Sequence, residues 1–432
     1  MNRRAITAVL PLFLLHPPDG AAQADGAAYE MPVREQRDVA LNRALGLSPG
    51  ADAFELRSGD QWHGDLRVPL AARSMVNLGN RVDIPPRGAQ DGVQWRSSVS
   101  IESTDNALAA SRDRRSTSAL LLVPGANWVD GGRRHRVEVD ASADLLRDLD
   151  SFDHGDTLDA ASLFVNAYYR LSETVGLSAF DVYFHSHEPV AQSPVTVSGR
   201  YAAQTHLPSV ALDWQAGAAD ELSLRWSGAD NRSVRPRFTD TWRQDIDLAW
   251  RRRTDALKRL GLRARQRDVS FEQAPGRDVS ALWATADVRL SQRLLGQASL
   301  GYADARGGGT VVGTASLAGA FARGQWEVSL ERDITEIGGL SGLYALNRMG
   351  AEARLRVGDS AQLALGLQAS HYRPREAGGS TVRLLRPSLT WSQSLDRHTS
   401  LMLRYLGDYD EVPDIDYEMF RNRLRVSLMY VF

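Results

Sequence analysis

The sequence predicts an all-β fold, a transmembrane antiparallel up-and-down β-barrel of about 18 strands, or about 16 on the alternative count. Three observations predict it. From about Gly92 onward, large apolar residues and polar or charged residues take turns along one segment after another. Short turns and longer polar connections alternate between those segments. The chain closes on "FRNRLRVSLMYVF", Phe420 to Phe432, an alternating segment that ends in an aromatic residue.

Before the barrel, Asn2, Arg3 and Arg4 form a basic start and Ala5 to Leu15 an apolar core. Ala22 to Ala24 supplies the small residues of a cleavage site, so residues 1–24 read as a secretory signal peptide. The apolar core is about half of the ~20 residues that a spanning helix needs. Residues 25–91 are expected to be a separate segment, periplasmic or plug-like. In it, Val39, Leu41, Leu45 and Leu47 give "VREQRDVALNRALGL" (33–47) one apolar side, and Ala53 to Val68 suggests a small hairpin.

Residues 92–432 are assigned to the barrel. "DELSLRWSG" sets Leu222, Leu224 and Trp226 against Ser223, Arg225 and Ser227, and "DIDLAWRR" sets Ile246, Leu248 and Trp250 against Asp245, Asp247 and Arg251. "QWEVSLER", "GAEARLRV", "AQLALGLQA" and "SLMLRYL" repeat the pattern through Trp326, Leu355, Leu365 and Leu403. A spacing of two belongs to strands, where successive side chains point to opposite faces. Short turns fall at Val129–Gly132, Ser172–Thr174, Ala216–Asp220, Thr254–Leu257, Ser291–Arg293, Arg323–Gln325, Gly358–Ser360 and Leu395–His398. Longer connections are read at Thr104–Ser116, Arg147–Thr157, His185–Thr196, Gly228–Trp242 and Gly407–Glu418, and the glycine-rich Ala305–Thr310 is also placed in an outer loop. Short periplasmic turns alternating with longer outer loops are the rhythm of outer-membrane barrels. A β-sandwich would need a large set of doubly apolar strands, and a propeller a repeat of fixed period; the sequence has neither.

Composition agrees. The 432 residues carry a formal net charge of −2 and no cysteine. Nothing in that balance points to nucleic acid, and no disulfide, thiolate or cysteine metal site can form. The mean hydropathy of −0.33 suits a barrel, because half of each strand faces a polar interior.

With the apolar parity facing lipid, the charged parity faces the lumen. The expected charge path comprises Arg251, Arg263, Arg265, Arg354, Arg356, Arg404, Arg421, Arg423 and Arg425. Arg136, Arg225 and Arg259 share that parity, as do Glu138, Asp140, Asp245, Asp247, Glu327, Glu331 and Glu352. Two readings stand side by side. Arginines can pair with carboxylates on neighbouring strands and brace a wide barrel, or they can form an electropositive path for anionic cargo. Arg421, Arg423 and Arg425 lie near Arg404 with few carboxylates between them in this reading.

No catalytic or metal constellation is assembled. His185, His187 and Glu188 sit at a loop edge, and the remaining histidines are scattered. Trp214, Trp226, Trp250, Trp326, Trp391, Tyr405 and Tyr430 suit interfacial girdles, while Phe164, Tyr168 and Trp283 point inward. No enzyme activity and no cofactor are expected.

"SVSIESTDNAL" (Ser98 to Leu108), "LLLVPGANW" and the run from Arg134 to Pro189 resemble the EpsL-like, beta-barrel porin-2 type outer-membrane proteins of exopolysaccharide operons, most clearly over Trp95 to Pro189. The Thr104-Asp105-Asn106 turn is the sharpest shared element. The resemblance implies an exit pore or accessory component for secreted polysaccharide, working with periplasmic export components. The alternative is a general or solute-selective diffusion porin. Val426, Leu428, Tyr430 and Phe432 resemble the C-terminal signal read by the barrel assembly machinery, so loss of Phe432 is expected to impair insertion. The expected location is the bacterial outer membrane, with lipid as the principal surrounding partner and no nucleic acid.

Overall fold

The alternating segments become strands because leucine, β-branched and aromatic side chains pack well on a pleated surface while the intervening charges point the other way. The computed structural model describes residues 92–431 apart from parts of several connections, the longest being 187–202. The expected signal peptide (1–24), the segment 25–91 with its helix and hairpin, His187, Glu188 and Phe432 lie outside the described residues.

The first nine strands are β1 (Gly92–Thr104), β2 (Thr117–Gly131), β3 (His135–Asp148), β4 (Leu158–Arg170), β5 (Val175–Ser186), β6 (Ala203–Gln215), β7 (Asp220–Ser233), β8 (Thr241–Arg253) and β9 (Lys258–Phe271). The second nine are β10 (Arg277–Ser291), β11 (Leu294–Ala305), β12 (Gly308–Phe321), β13 (Gly324–Thr335), β14 (Tyr344–Val357), β15 (Ala361–Pro374), β16 (Val382–Ser394), β17 (Thr399–Val412) and β18 (Tyr417–Val431). Each pairs antiparallel with its sequence neighbour, and β1 also pairs with β18, from Arg96↔Val431 to Thr104↔Arg423. The 18-stranded sheet therefore closes on itself, as the alternation predicts.

Several expected outer loops are shorter than read. β7 runs on to Ser233, β17 reaches Val412 and β18 starts at Tyr417, and Gly308 to Thr310 belong to β12 and not to a loop. The reason is physical. Above the apolar belt both faces meet water, so hydrophobic alternation fades while the strands continue. Asp230 and Arg232 illustrate this, pairing at 2.6 Å on the outward face of β7.

Exposure is inverted relative to a water-soluble protein. On β8, Ile246 and Leu248 are each 52% exposed, whereas Asp245 and Asp247 are 1% and 4% exposed. β18 repeats this, with Leu424, Val426, Leu428 and Tyr430 exposed and Arg421, Arg423 and Arg425 buried. Leu260, Leu262, Leu282, Leu300, Val328, Leu330, Leu365 and Leu367 continue the apolar exterior around the sheet. Such a band is stable only in contact with hydrocarbon, and a closed sheet leaves no edge to satisfy there. The chain is a β-barrel of the bacterial outer membrane. One departure is Asp181, on the outward face between Ala179 and Tyr183, where His206 Nε2 lies 2.7 Å from its Oδ1.

Close strand approach depends on small residues. Gly301 of β11 faces Trp283 of β10 on the inner wall. A Cβ there would lie 2.1 Å from the Leu282 carbonyl oxygen and 2.7 Å from Trp283 Cδ1. Gly301→Val is expected to destabilise the barrel by about 1–3 kcal/mol through overpacking. A lowered urea midpoint in detergent or vesicles would show it.

The wall is not a uniform cylinder. β12 runs up to Gly308 and β13 to Thr335, but their ladder stops at Gly313↔Arg332. β13 remains paired to β14 up to Thr335↔Tyr344. The tip of the β13–β14 hairpin therefore parts from β12 and leans into the barrel as a tongue. Ile334 and Leu343 pack with inward Val269, Phe271, Val279, Ala281, Trp283, Ala303 and Val312 of β9–β12. Ile337, Leu340, Tyr344 and Leu346 pack with Tyr372, Val382, Leu384, Val412 and Tyr417 of β15–β18. The tongue is held between two apolar stretches of inner wall at the outer end of the barrel.

Candidate functional site

Among the described residues, two charged constellations stand out on the inner wall beside smaller pairs such as Arg96 with Asp140 and Arg348 with Glu331, and one of them clamps the tongue. β9 places Arg263, Arg265 and Arg267 on the inward parity, opposite Asp247 and Asp245 of β8. Arg267 donates to both Asp245 oxygens, Nε at 2.6 Å and Nη2 at 3.2 Å, and its Nη1 donates to the Ile334 carbonyl at 2.8 Å. Arg265 Nη2 donates to Asp333 Oδ1 at 2.8 Å. Arg243 Nη1 donates to Glu336 Oε1 at 2.8 Å. Asp333 lies four strands from β9, about 19 Å along the sheet at ~4.8 Å per strand. Only the inward lean of β13 lets these groups meet. Arg263 Nε donates to Asp247 Oδ1 at 2.6 Å, and the Arg263 and Arg265 guanidiniums lie 5.1 and 4.9 Å from the Trp283 ring centre. Asp245, 1% exposed, is paired with Arg267 and also sits 3.2 Å from Arg243 Nε. Asp245→Ala would strand buried guanidinium charge, with an expected loss of about 3–5 kcal/mol in unfolding free energy.

The second constellation lies on β16, β17, β18 and β1. Asp408 is approached by Arg386 Nε at 3.2 Å, Arg421 Nη2 at 3.1 Å and Arg423 Nη2 at 3.1 Å. Arg386 also pairs with Asp410. Arg425 Nε donates to Glu102 Oε2 at 2.7 Å, across the seam between the first and last strands. Arg404 stands directly opposite Arg425 in the register. Outside this wall, Asp105 Oδ1 accepts the Asn422 backbone N–H at 2.7 Å and Asn106 Nδ2 donates to the Phe420 carbonyl at 3.0 Å. The Thr104-Asp105-Asn106 turn thus fastens the top of the closing seam.

The mouth has a further strap. Arg277 at the start of β10 bridges to Glu376, in the connection after β15, with Nη2 donating to Oε2 at 2.6 Å. Arg375 of that connection donates to the Gly308 carbonyl of β12. Hydrogen bonding from Arg277 holds the Glu376 carboxyl below its usual pKa. A depressed carboxylate stabilises the fold above its unfolded pKa, and that contribution is lost as pH falls through the lowered value. The strap is therefore expected to loosen only in acid, and Glu376→Gln should remove the pH step from mouth-directed crosslinking or conductance records.

The nine arginines of the expected path do not form one ladder. Arg404, Arg421, Arg423 and Arg425 come together. Arg263 and Arg265 belong to the tongue clamp, and Arg251 lies nearby, 3.3 Å from Glu221. Arg354 sits apart on β14, donating to Glu352 at 2.6 Å, with Arg356 two residues nearer the turn. The expectation of few carboxylates among Arg421, Arg423 and Arg425 needs correcting, because Asp408 and Asp410 stand on a strand where the sequence reading placed a loop. Arg243, Arg267, Arg386, Asp333 and Glu336 were also missed. Arg243 and Arg267 share the parity of neighbours that were identified, while Arg386 was obscured by the following Pro387. Glu336 lies in a connection, where strand alternation gives no signal. Of the inward aromatics, Phe164 is fully buried against Phe180, edge to face at 5.0 Å, and Trp283 is buried, while Tyr168 is exposed. His185 falls on the outward parity of β5, and no group of three or more metal-binding side chains occurs among the described residues. Val426, Leu428 and Tyr430 of the expected assembly signal lie on the lipid face.

No known family model and no curated protein matches this chain. Among solved structures it is similar to OccK2 (OpdF) of Pseudomonas aeruginosa, at 12% identity over 79% of this chain and 100% of that one, with a TM-score of 0.45. OpdL of Pseudomonas aeruginosa gives 11% identity over 79% and 98% of the two chains, with a TM-score of 0.43. OccAB4 of Acinetobacter baumannii gives 10% over 79% and 99%, with a TM-score of 0.42. Likeness this distant says nothing about what this chain conducts, and the barrel assignment rests on its own strand pairing.

Proposed function

We propose that the barrel is a solute-selective diffusion channel of the outer membrane. The tongue carries this reading. A barrel of this strand number has a backbone diameter of about 36 Å if round, from ~4.8 Å strand spacing and ~40° tilt. The β13–β14 tip occupies part of that bore and is tethered by Arg243, Arg265 and Arg267. An inward obstruction lined by paired charges suits the passage of small hydrated solutes, which are sorted by size and charge. It does not suit the unobstructed exit of a bulky polymer. No covalent chemistry is required of the wall.

Liposome swelling tests this directly. Purified barrel in vesicles is expected to admit small sugars quickly and larger oligosaccharides slowly. The polysaccharide-export reading implied by the family resemblance predicts a different phenotype. Deleting the chain would then abolish secreted polymer, whereas the diffusion reading predicts unchanged polymer and slower solute entry.

A further inference from the structure

We infer that the outward face of β13–β16, where the wall leaves the apolar band at the outer end, is a docking surface for phosphate-bearing lipid headgroups. This surface depends only on the barrel and its two faces, and not on what the lumen conducts.

One register row marks the boundary. Arg332 of β13 stands opposite Asn347 of β14, Asn347 opposite His371 of β15, and His371 opposite Arg383 of β16. Two positions nearer the periplasm, the same strands present Leu330, Met349, Ala369 and Leu385 in one row. Each strand thus passes from an apolar to a polar outward side chain in a single step of ~7 Å, two residues at ~3.4 Å each. Arg373, two positions beyond His371, adds a third guanidinium to the outward parity. Arg332, Arg373 and Arg383 are exposed, and among the described residues the outward parity of β13–β16 carries no carboxylate. The acidic groups beside this sector are engaged. Glu411 of β17 pairs with Arg383 at 3.2 Å, and Asp414 accepts the Thr381 backbone N–H at 2.7 Å. Arg332 donates to the neutral Thr310 Oγ1 at 3.3 Å. Arg332 and Arg373 therefore stand without a carboxylate partner among the described residues.

A cation one step beyond the apolar band meets lipid headgroups and not lipid tails. Arg332 and Arg383 are three strands apart, ~14 Å at ~4.8 Å per strand, with Arg373 on the strand between Asn347 and Arg383. Guanidinium forks bind phosphate oxygens in pairs, so charge and geometry both favour a phosphate here. The positive charge is local to this sector. At the outer end of β9–β11 the outward parity carries Asp268, Asp278 and Asp304 instead, with Asp278 opposite Asp268 and Asp304 opposite Ser280. Anionic headgroups are therefore drawn to one side of the barrel and repelled from another.

The chain has no cysteine, so Asn347→Cys gives a single site for a fluorophore in the middle of the row. The labelled full barrel is placed in mixed vesicles, and quenching by brominated phosphatidate is compared with quenching by brominated phosphatidylcholine at equal mole fraction. An arginine at a lipid surface enriches anionic lipid about fivefold, so phosphatidate is expected to be favoured at this site by about that factor. Arg332→Gln with Arg373→Gln should bring the ratio near unity. Arg332→Lys with Arg373→Lys should retain the preference, which separates charge from folding. A fluorophore at Ser280→Cys, in the acidic sector, should find phosphatidate depleted. Equal quenching by the two lipids at position 347, or a preference that survives the glutamine pair, would overturn the headgroup surface and leave the channel reading intact. Equal enrichment at positions 347 and 280 would overturn it as well, because the arginine row would then add nothing to the rest of the rim.

Discussion

Replacing the tongue tip, residues 337–342, with a short glycine–serine link is expected to raise single-channel conductance about twofold. The two-stranded β13–β14 tongue with its side chains is ~10 Å thick, a substantial share of the bore at the outer end, and residues 337–342 belong to the connection between its strands. The same change removes Ile337 and Leu340 from their apolar neighbours on β15–β18. Each such loss of burial costs about 1.5–3 kcal/mol, so a lower urea midpoint should accompany the wider passage. A milder version keeps the tip and cuts its tethers. Arg243→Ala with Arg265→Ala removes the pairs to Glu336 and Asp333, and should give flickering steps of larger amplitude. Arg232→Ala, on the outward face, is the control with no expected change in conductance. Unaltered amplitude in both the tip and the tether variants would mean that the tongue does not limit flow.

Charge on the exterior should be the second large effect. Leu365→Arg places a guanidinium on the lipid face of β15, beside Leu389 and Ala353. Near mid-bilayer this costs about 2–4 kcal/mol. Ser392→Arg puts the same group on the inward parity, between Gln362 and Met402, away from the hydrocarbon, and a smaller change is expected. Equilibrium urea unfolding in vesicles should separate the two variants clearly. Equal destabilisation would contradict the assignment of inner and outer faces.

The strand count and the two faces were legible in the sequence because period-two alternation is strongest where one face meets lipid. Segments such as Leu222–Ser227 and Arg421–Tyr430 could be oriented without any coordinates. Legibility ended above the belt. At Gly407 to Val412 both faces are polar, so the continuing strand resembled a loop and Asp408 was lost from the site. The tongue left a fainter trace. Ile337, Leu340 and Leu343, following Ile334 at the end of β13, make the connection after β13 unusually apolar beside the other outer connections, which is the signature of a segment that packs inward. What alternation cannot reveal is which walls meet across the lumen. Arg265 with Asp333 and Arg243 with Glu336 depend on the parting of β12 from β13 above Gly313, a departure from the regular ladder on which sequence periodicity depends.

As we propose, this outer-membrane barrel is a selective channel narrowed by its own β13–β14 tip. The most direct measurement is ion current through the purified, inserted barrel in a planar bilayer. A channel so narrowed gives discrete, stable conductance steps that grow when residues 337–342 are replaced. Barrels shown to be inserted by protease protection, yet electrically silent both before and after that replacement, would contradict it.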